Sequence, residues 1–260
     1  MKSITVGIPE NEAYIISLGD IHLGSIEFTK DGEKQLKKDL TWLKEHPNAR
    51  AILNGDVFNC ANRISKTSPF TSNSSEYDYA SKLLKPYANQ ILLVTDGNHE
   101  ARFLDMFGVS PCQWLARDLN IYYCGWSVIL NLKVGKRPKN RWYQNYYLYI
   151  HHIMGGGETV GGKLNRVTKL RDLVEGIDCY IGNHTHQSSV APMDVFCPSE
   201  NKEGFKKRVI YFVNSGGYVS WNNSYAEQKM LPPANISSCP KIKFNAHGGA
   251  ISDHKIEVVI

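Results

Sequence analysis

The first half of the chain alternates short apolar runs with longer amphipathic stretches. Ala13 to Leu18 reads as a buried strand, Ala51 to Leu53 as a second, and Ile91 to Thr95 as a third that runs into Gly97. Between the first two, Asp31 to His46 carries Leu36, Leu40 and Leu43 at helical spacing, with Lys34, Lys37, Lys38 and Lys44 largely on the other side and Pro47 as a stop. Glu76 to Tyr87 predicts another helix, broken at Pro86. Consecutive βαβ units and a mainly parallel sheet follow from this order.

After a helical stretch around Cys112 to Leu119 the period changes. Trp126 to Val134 and Trp142 to Ile150 flank a basic, turn-forming segment and predict a β-hairpin that opens a second sheet. A helix over Leu164 to Val174 and strands over Cys179 to Ile181, Val190 to Phe196, Val209 to Val213 and Ile256 to Ile260 complete the pattern. The expected fold class is α/β (α+β): two sheets packed face to face, flanked by helices, in a single domain over residues 1–260. Asn62 to Ser75, rich in Ser, Thr and Asn, predicts a long exposed loop.

Composition narrows the class further. With 42% apolar and 11% aromatic residues in 260, the chain has enough apolar side chains for a substantial core. No run of about 18 apolar residues spans a bilayer, and the N-terminus lacks the pattern of a signal peptide. The expectation is a cytoplasmic protein with no membrane partner. Six scattered cysteines without a C-x-x-C pair argue against a disulfide framework. The net charge of +5 is modest, and the basic runs at Lys136 to Arg141 and Lys202 to Arg208 read mainly as solvated hairpin surface. Pro198 to Arg208 and Lys241 to His254 are expected to shape a pocket, without naming its ligand.

The loops that follow the predicted strands carry the chemistry. Asp20 and His22 form D-x-H directly after the first strand, two ligand types suited to a divalent cation. Asn54-Gly55-Asp56 follows the second, and the Asp56 carboxylate has two oxygens with which to bridge two cations. Gly97-Asn98-His99-Glu100 follows the third: an amide oxygen that can ligate metal, an imidazole that can donate a proton, and a carboxylate that can orient its neighbours. His151-His152 and Gly182-Asn183-His184-Thr185-His186 add four imidazoles at two further strand ends. Taken singly these residues are ordinary turn or capping residues; their convergence on strand ends points to metal binding. The glycine-rich stretch Gly155 to Lys163 reads either as a rim loop or as backbone N–H groups and Lys163 offered to a substrate phosphate; it lacks Walker spacing.

In this order, D-x-H, G-D, G-N-H-E, a strand-terminal histidine and a histidine pair resemble the signature of the calcineurin-like metallophosphoesterase family. The resemblance covers Asp20 to His186 and implies a sandwich of two mixed sheets with a dinuclear centre at the strand ends. It implies that Asp20, His22 and His186 hold one metal, that Asp56 bridges, and that Asn98, His184 and His151 or His152 hold the other. His99 is then placed to protonate the leaving oxygen or to clamp the phosphate, with Asn98, Arg102 and Lys163 as further substrate contacts. Two departures stand out. The last block has one more residue between Gly182 and His184 than the usual G-H-x-H, and the histidine before it is doubled. The spacing to Gly155–Gly157 favours His152, whereas relatives with His-His-Pro patterns favour His151. The arginine that protein phosphatases of this family carry before G-N-H-E is Asp96 here, and Arg102 follows instead, which disfavours a phosphoserine phosphatase.

The function expected from these residues is hydrolysis of a phosphate monoester or diester by metal-activated water, with two divalent ions, Mn²⁺ first and Fe or Zn²⁺ as alternatives. Two other readings stand beside it. A nuclease on DNA or RNA needs a basic, aromatic groove, to which Arg137, Lys139, Arg141, Trp142 and Tyr143 could contribute. A non-catalytic metal-binding scaffold needs only the fold. The oligomeric state is open.

Overall fold

The computed structural model describes residues 1–60, 72–137, 141–155, 157, 159–198, 204–222, 224, 227, 230, 236, 238–246 and 256–260. Twelve strands and five α-helices occur among them, in two six-stranded sheets.

One sheet grows from the alternating first half. Its parallel strands β2 (Glu12–Leu18), β3 (Ala49–Asn54), β4 (Ile91–Thr95) and β5 (Tyr122–Tyr123) lie in that order. On the other side of β2 come β11 (Lys241–Asn245), antiparallel to β2, and the edge strand β12 (Ile256–Val259), antiparallel to β11. Side chains alternate across each strand, so one strand feeds two cores. Ala13 and Ile15 of β2 enter the core between the sheets, while Ile16 and Leu18 enter the core under the helices.

The outer layer on that face holds α1 (Lys30–Glu45), α2 (Asn73–Leu84), α3 (Asn98–Phe107) and α4 (Pro111–Leu119). Leu36, Leu40 and Leu43 are the buried stripe of α1, as their spacing predicts. α1 also carries Asp31 and Glu33 in its first turn and Lys44 in its last, each placed favourably on the helix dipole. α2 ends at Leu84 and the chain continues as a 3₁₀ turn, Lys85–Gln90, because Pro86 offers no N–H.

The second sheet has the order β1 (Lys2–Ile8), β6 (Ser127–Arg137), β7 (Arg141–His152), β8 (Cys179–Asn183), β10 (Phe205–Ser215), β9 (Ser188–Pro198). The predicted hairpin is β6–β7, antiparallel. The predicted Leu164 to Val174 helix starts earlier and is shorter: α5 spans Val160–Thr168 and passes into a 3₁₀ turn, Lys169–Asp172. Val167 and Leu170 pack with Tyr149, Tyr180 and Phe212 on the outer face of this sheet. The sheets therefore do not divide the chain at residue 120. The N-terminal strand β1 joins the second sheet, and the C-terminal pair β11–β12 returns to the first.

Much of the predicted Asn62 to Ser75 loop lies outside the described residues, as do parts of Pro198 to Arg208 and Lys241 to His254. All six cysteines are free thiols, five of them buried. No helix among the described residues is long and apolar enough to cross a membrane, which says nothing of a strand-built barrel.

Candidate metal centre

Parallel strands β2, β3 and β4 end side by side at Leu18, Asn54 and Thr95, so their following loops share one crevice at the carboxyl edge of the sheet. The ends of β7 and β8 come to the same edge from the other sheet, with His152 opposite Asn183 in register. Immediately after these strands the backbone turns sharply. Asp20, His22, Asp56, His184 and His186 all have positive φ, between 47° and 98°. Aspartate and histidine are among the few non-glycine residues that enter this region with any frequency, at a cost of about 1–3 kcal/mol each. Backbone hydrogen bonds between loops support the conformation: Asp20 N–H donates to Gly55 O and His22 N–H to Asp56 O.

Two glycines make the approach possible. A Cβ on Gly97 would stand 2.1 Å from Asp56 Oδ1, and one on Gly55 would stand 2.5 Å from His152 Nδ1. Gly55 also has φ +71°, so a side chain there is excluded twice over.

The converging side chains form three overlapping groups whose ligand atoms lie within 4.8 Å of one another: Asp20, His22, His186; His22, Asp56, His99; and Asp56, His152, His184. In the first, His22 Nε2 and His186 Nε2 are 3.2 Å apart and each is 3.8 Å from Asp20 Oδ1. That oxygen is buried and has no hydrogen-bond partner among the described residues. In the third, His152 Nε2 is 3.5 Å from Asp56 Oδ2. Asp56 stands between the groups, with Oδ2 also 3.8 Å from His22 Nε2 and 3.9 Å from His99 Nε2.

The Asn98 amide states the chemistry most directly. Its oxygen lies 3.2 Å from His152 Nε2, 2.8 Å from His184 Nδ1 and 3.1 Å from Asp56 Oδ2. Asp56 Oδ2 and the Asn98 oxygen are both acceptors, and a cation between them would satisfy both. Without a cation the amide is satisfied only by turning over, NH₂ towards those atoms and oxygen towards Arg102 Nη2. Together with the orphaned Asp20 oxygen, this donor set fits a hard or borderline divalent ion.

Surrounding groups fix which nitrogens face inward. His152 Nδ1 lies 3.1 Å from Asn54 O and donates to it, which turns Nε2 to the centre. His99 does the same with Asn59 O at 2.7 Å. Asp56 Oδ1 accepts the His99 N–H at 2.9 Å, and Asp20 Oδ2 accepts the His184 N–H at 2.7 Å. Glu100 lies beneath the loops, taking the N–H groups of Gly97 and Asp56 on one oxygen and that of Phe58 on the other.

The electrostatics describe a site that seeks positive charge. Burial lowers the basicity of His184 to about 4 and of His186 to about 3, and depresses His22 well below its usual value. These imidazoles are neutral ligands at neutral pH. Burial and then Asp56 push Asp20 up to about 8, against the pull of His152. His152 is the exception among the histidines. Burial disfavours its charge, but Asp56 outweighs that and raises it to about 9. Asp56 in turn is held well below the carboxylate range, burial being overcome by His152 and its neighbours.

Of the adjacent histidines, only His152 faces the centre. Strand alternation sends His151 to the opposite face of β7, where its ring meets Tyr149 and its buried Nδ1 has no partner among the described residues. The extra residue before His184 is not a bulge, since β8 continues in register with β7 through Gly182 and Asn183. Arg102, one turn into α3, brings Nη2 to 3.1 Å from the Asn98 amide. Lys163 lies on α5, on the side of the second sheet opposite to His152. The hairpin turn lies at the opposite end of β7 from His152. Arg141 begins β7 and His152 ends it, 11 residues or about 36 Å apart along an extended strand. Lys139 lies outside the described residues.

The support shell was not legible in the motifs. Glu76 of α2 accepts the Cys60 N–H, and Tyr218 donates its N–H to Asp20 O. No residue spacing ties Glu76 or Tyr218 to the motif loops.

Comparison with known proteins adds the following. A model of the calcineurin-like phosphoesterase family matches residues 13–188. No curated protein matches the chain. The solved structure of the NAD nucleotidase NadN of Haemophilus influenzae aligns with 96% of this chain at 9% identity and a TM-score of 0.43. The alignment covers 49% of that protein, so this chain spans about half its length, and the likeness is too distant to carry an argument about activity.

Proposed function

We propose that this chain, which belongs to the calcineurin-like phosphoesterase family, is a metal-dependent phosphoric ester hydrolase that cleaves a phosphate monoester or diester at a dinuclear centre built around Asp56. In this reading Asp20, His22 and His186 hold one divalent cation, Asn98, His152 and His184 hold the other, and Asp56 joins them. The observation that carries it is the convergence of Asp20, His22 and His186, and of Asp56, His152 and His184, each group with its ligand atoms within 4.8 Å of one another. Bound there, two divalent ions would supply charge for the phosphoryl oxygens and lower the pKa of water to the range of a usable nucleophile.

The remaining work falls to the chain. His99 Nδ1 is tied to Asn59 O, so Nε2 is its working nitrogen. Burial lowers its basicity, so it is the imidazolium, favoured by the negative charge of a bound phosphate ester, that gives the Nε2 proton to the leaving oxygen as the P–O bond breaks and is left as neutral imidazole. The Arg102 guanidinium, held beside Asn98, pairs with a non-bridging phosphate oxygen. Glu100 keeps Asp56 and the start of α3 in fixed relation, so that little reorganisation is needed during turnover.

Mn²⁺ is the first choice of metal and Fe or Zn²⁺ the alternatives, and the mixture of carboxylate, amide and imidazole ligands suits all three. We read the chain as one domain over residues 1–260. The test is Mn²⁺-dependent hydrolysis of bis(p-nitrophenyl) phosphate and p-nitrophenyl phosphate, with chelator and Asp56→Asn controls. Turnover of either ester that is lost in both controls supports the reading. Turnover that survives Asp56→Asn refutes the role given to Asp56.

A further inference from the structure

We propose that Glu76 of α2 is a positioning residue for His99, acting through the peptide group that joins Asn59 to Cys60. The role rests on the reading of His99 as the group that protonates the leaving oxygen. Two hydrogen bonds define it. The Cys60 N–H donates to Glu76 Oε1 at 3.1 Å, and the Asn59 carbonyl, at the other end of the same peptide, takes His99 Nδ1 at 2.7 Å. A carbonyl can only accept, so Nδ1 carries the proton of that bond. An acceptor on the N–H of an amide polarises its carbonyl, so each bond strengthens the other.

The peptide does not rest in this orientation by itself. Cys60 has φ 48°, and cysteine, unlike asparagine, aspartate or histidine, rarely enters that region. Contacts on both sides hold it there. The Asn59 N–H donates to Leu23 O at 2.7 Å, which anchors the loop after β3 to the loop after β2. Glu76 holds the next residue. Its own place is set by the start of α2, where the Ser72 and Ser75 side chains each accept the other's backbone N–H.

Glu76 is 2% exposed and lies against Gly24, where a Cβ would stand 2.2 Å from Oε2. That second oxygen has no hydrogen-bond partner among the described residues. A buried carboxyl with one idle oxygen is a costly way to fill space, and an apolar side chain would fill it without that cost. What the acid supplies is the acceptor for Cys60. An oxygen remains to accept in either protonation state of the carboxyl, so the tie does not depend on its charge. The other neighbours of His99 do not replace it. The His22 ring meets the imidazole edge to face at 4.4 Å between centroids, and Asp56 Oδ2 lies 3.9 Å from Nε2, but neither fixes Nδ1.

The tie is read first without turnover. In the metal-free full-length protein, the His99 Nδ1 proton is expected as a downfield imidazole resonance in the proton NMR spectrum, identified by its loss in His99→Ala. Glu76→Met, unbranched and of similar length, should lose or broaden it, with Glu76→Ala as a second variant that has no acceptor. Glu76→Gln, which keeps an oxygen for Cys60, should retain it. Kinetics with Mn²⁺ read the consequence. Phenoxide needs a proton to leave, and 2,4-dinitrophenoxide does not. Glu76→Met should therefore lower kcat on phenyl phosphate, or on methyl phenyl phosphate if the wild type prefers diesters, by about 10- to 100-fold, within the about 10²–10⁴ of a general acid. The loss on the matching 2,4-dinitrophenyl ester should be far smaller, with KM and bound metal unchanged. In a His99→Ala background, Glu76→Met should cause no further loss. Absence of such a resonance from the wild type, an unchanged resonance in folded Glu76→Met, or an equal loss on both esters would overturn the proposal. If His99→Ala itself falls equally on both esters, it is the acid role of His99 that fails. The resonance needs no hydrolysis, so failure of this tie and failure of the hydrolase reading are distinguishable.

Discussion

Glu100 Oε2 accepts the backbone N–H of Asp56 at 2.9 Å, and the same oxygen accepts the Gly97 N–H at 2.8 Å. One buried carboxylate therefore fixes the loop after β3 to the loop after β4, with Phe58 N–H on its second oxygen. Glu100→Gln turns one of these acceptor oxygens into an NH₂ that faces N–H donors. The expected outcome is a loss of about 1–3 kcal/mol of stability and a 10- to 100-fold weaker affinity for Mn²⁺. Thermal melting and metal titration of the variant check both.

Tyr218 supports Asp20 from behind. Its hydroxyl donates to Asp39 Oδ2 at 3.0 Å, and its N–H donates to Asp20 O at 3.1 Å. Asp39 is itself buried and paired with Lys241 at 2.9 Å, which ties β11 to α1. Tyr218→Phe removes one hydrogen bond to a carboxylate, about 1.5–3 kcal/mol, and loosens a residue held at φ 47°. Mn²⁺ titration should show weakened binding at the Asp20 group and little change at the Asn98 group.

Glu76 gives a pH signature. Burial raises its carboxyl from 4.5 to about 7, so the folded state holds this proton more tightly than the unfolded state. Its contribution to stability is complete below about pH 4.5 and is lost as pH rises through 7, about 3 kcal/mol in all. Gln keeps an oxygen for the Cys60 N–H and does not titrate. Glu76→Gln should therefore be near neutral in denaturant melts at pH 4 and stabilising at pH 8. An equal effect at both pH values contradicts the assignment.

His99 and Asp56 are expected to fail differently. His99→Ala should lower kcat by about 10²–10⁴ while metal content stays at the wild-type level. Asp56→Asn should lose metal along with turnover. Metal analysis of the two purified variants, beside their rates, separates proton donation from ligation.

The motif loops were legible because each follows an apolar strand, and Asp, His and Asn are the residues that tolerate the sharp turns at Asp20, His22, Asp56, His184 and His186. The choice between His151 and His152 needed the phase of β7, which becomes evident only when Ile150 and Leu148 are seen in the core between the sheets. Strands β1 and β11 were missed, because K-S-I-T-V-G-I and K-I-K-F-N are short alternating runs. What makes them strands is pairing with β6 and β2, more than 100 residues away in each case. Helix α3 buries only Glu100 and Phe103, too few apolar positions to show a helical period. Glu76 and Tyr218 act through single hydrogen bonds to loops distant in sequence, which no local pattern encodes.

The most direct test of the dinuclear centre is metal stoichiometry: Mn²⁺ titrated into the chelator-treated protein, wild type and Asn98→Ala, with hydrolysis of p-nitrophenyl esters followed in parallel. Two bound ions in the wild type, one in Asn98→Ala, and turnover only when both sites fill is the predicted result. A single ion in the wild type with full turnover would contradict it.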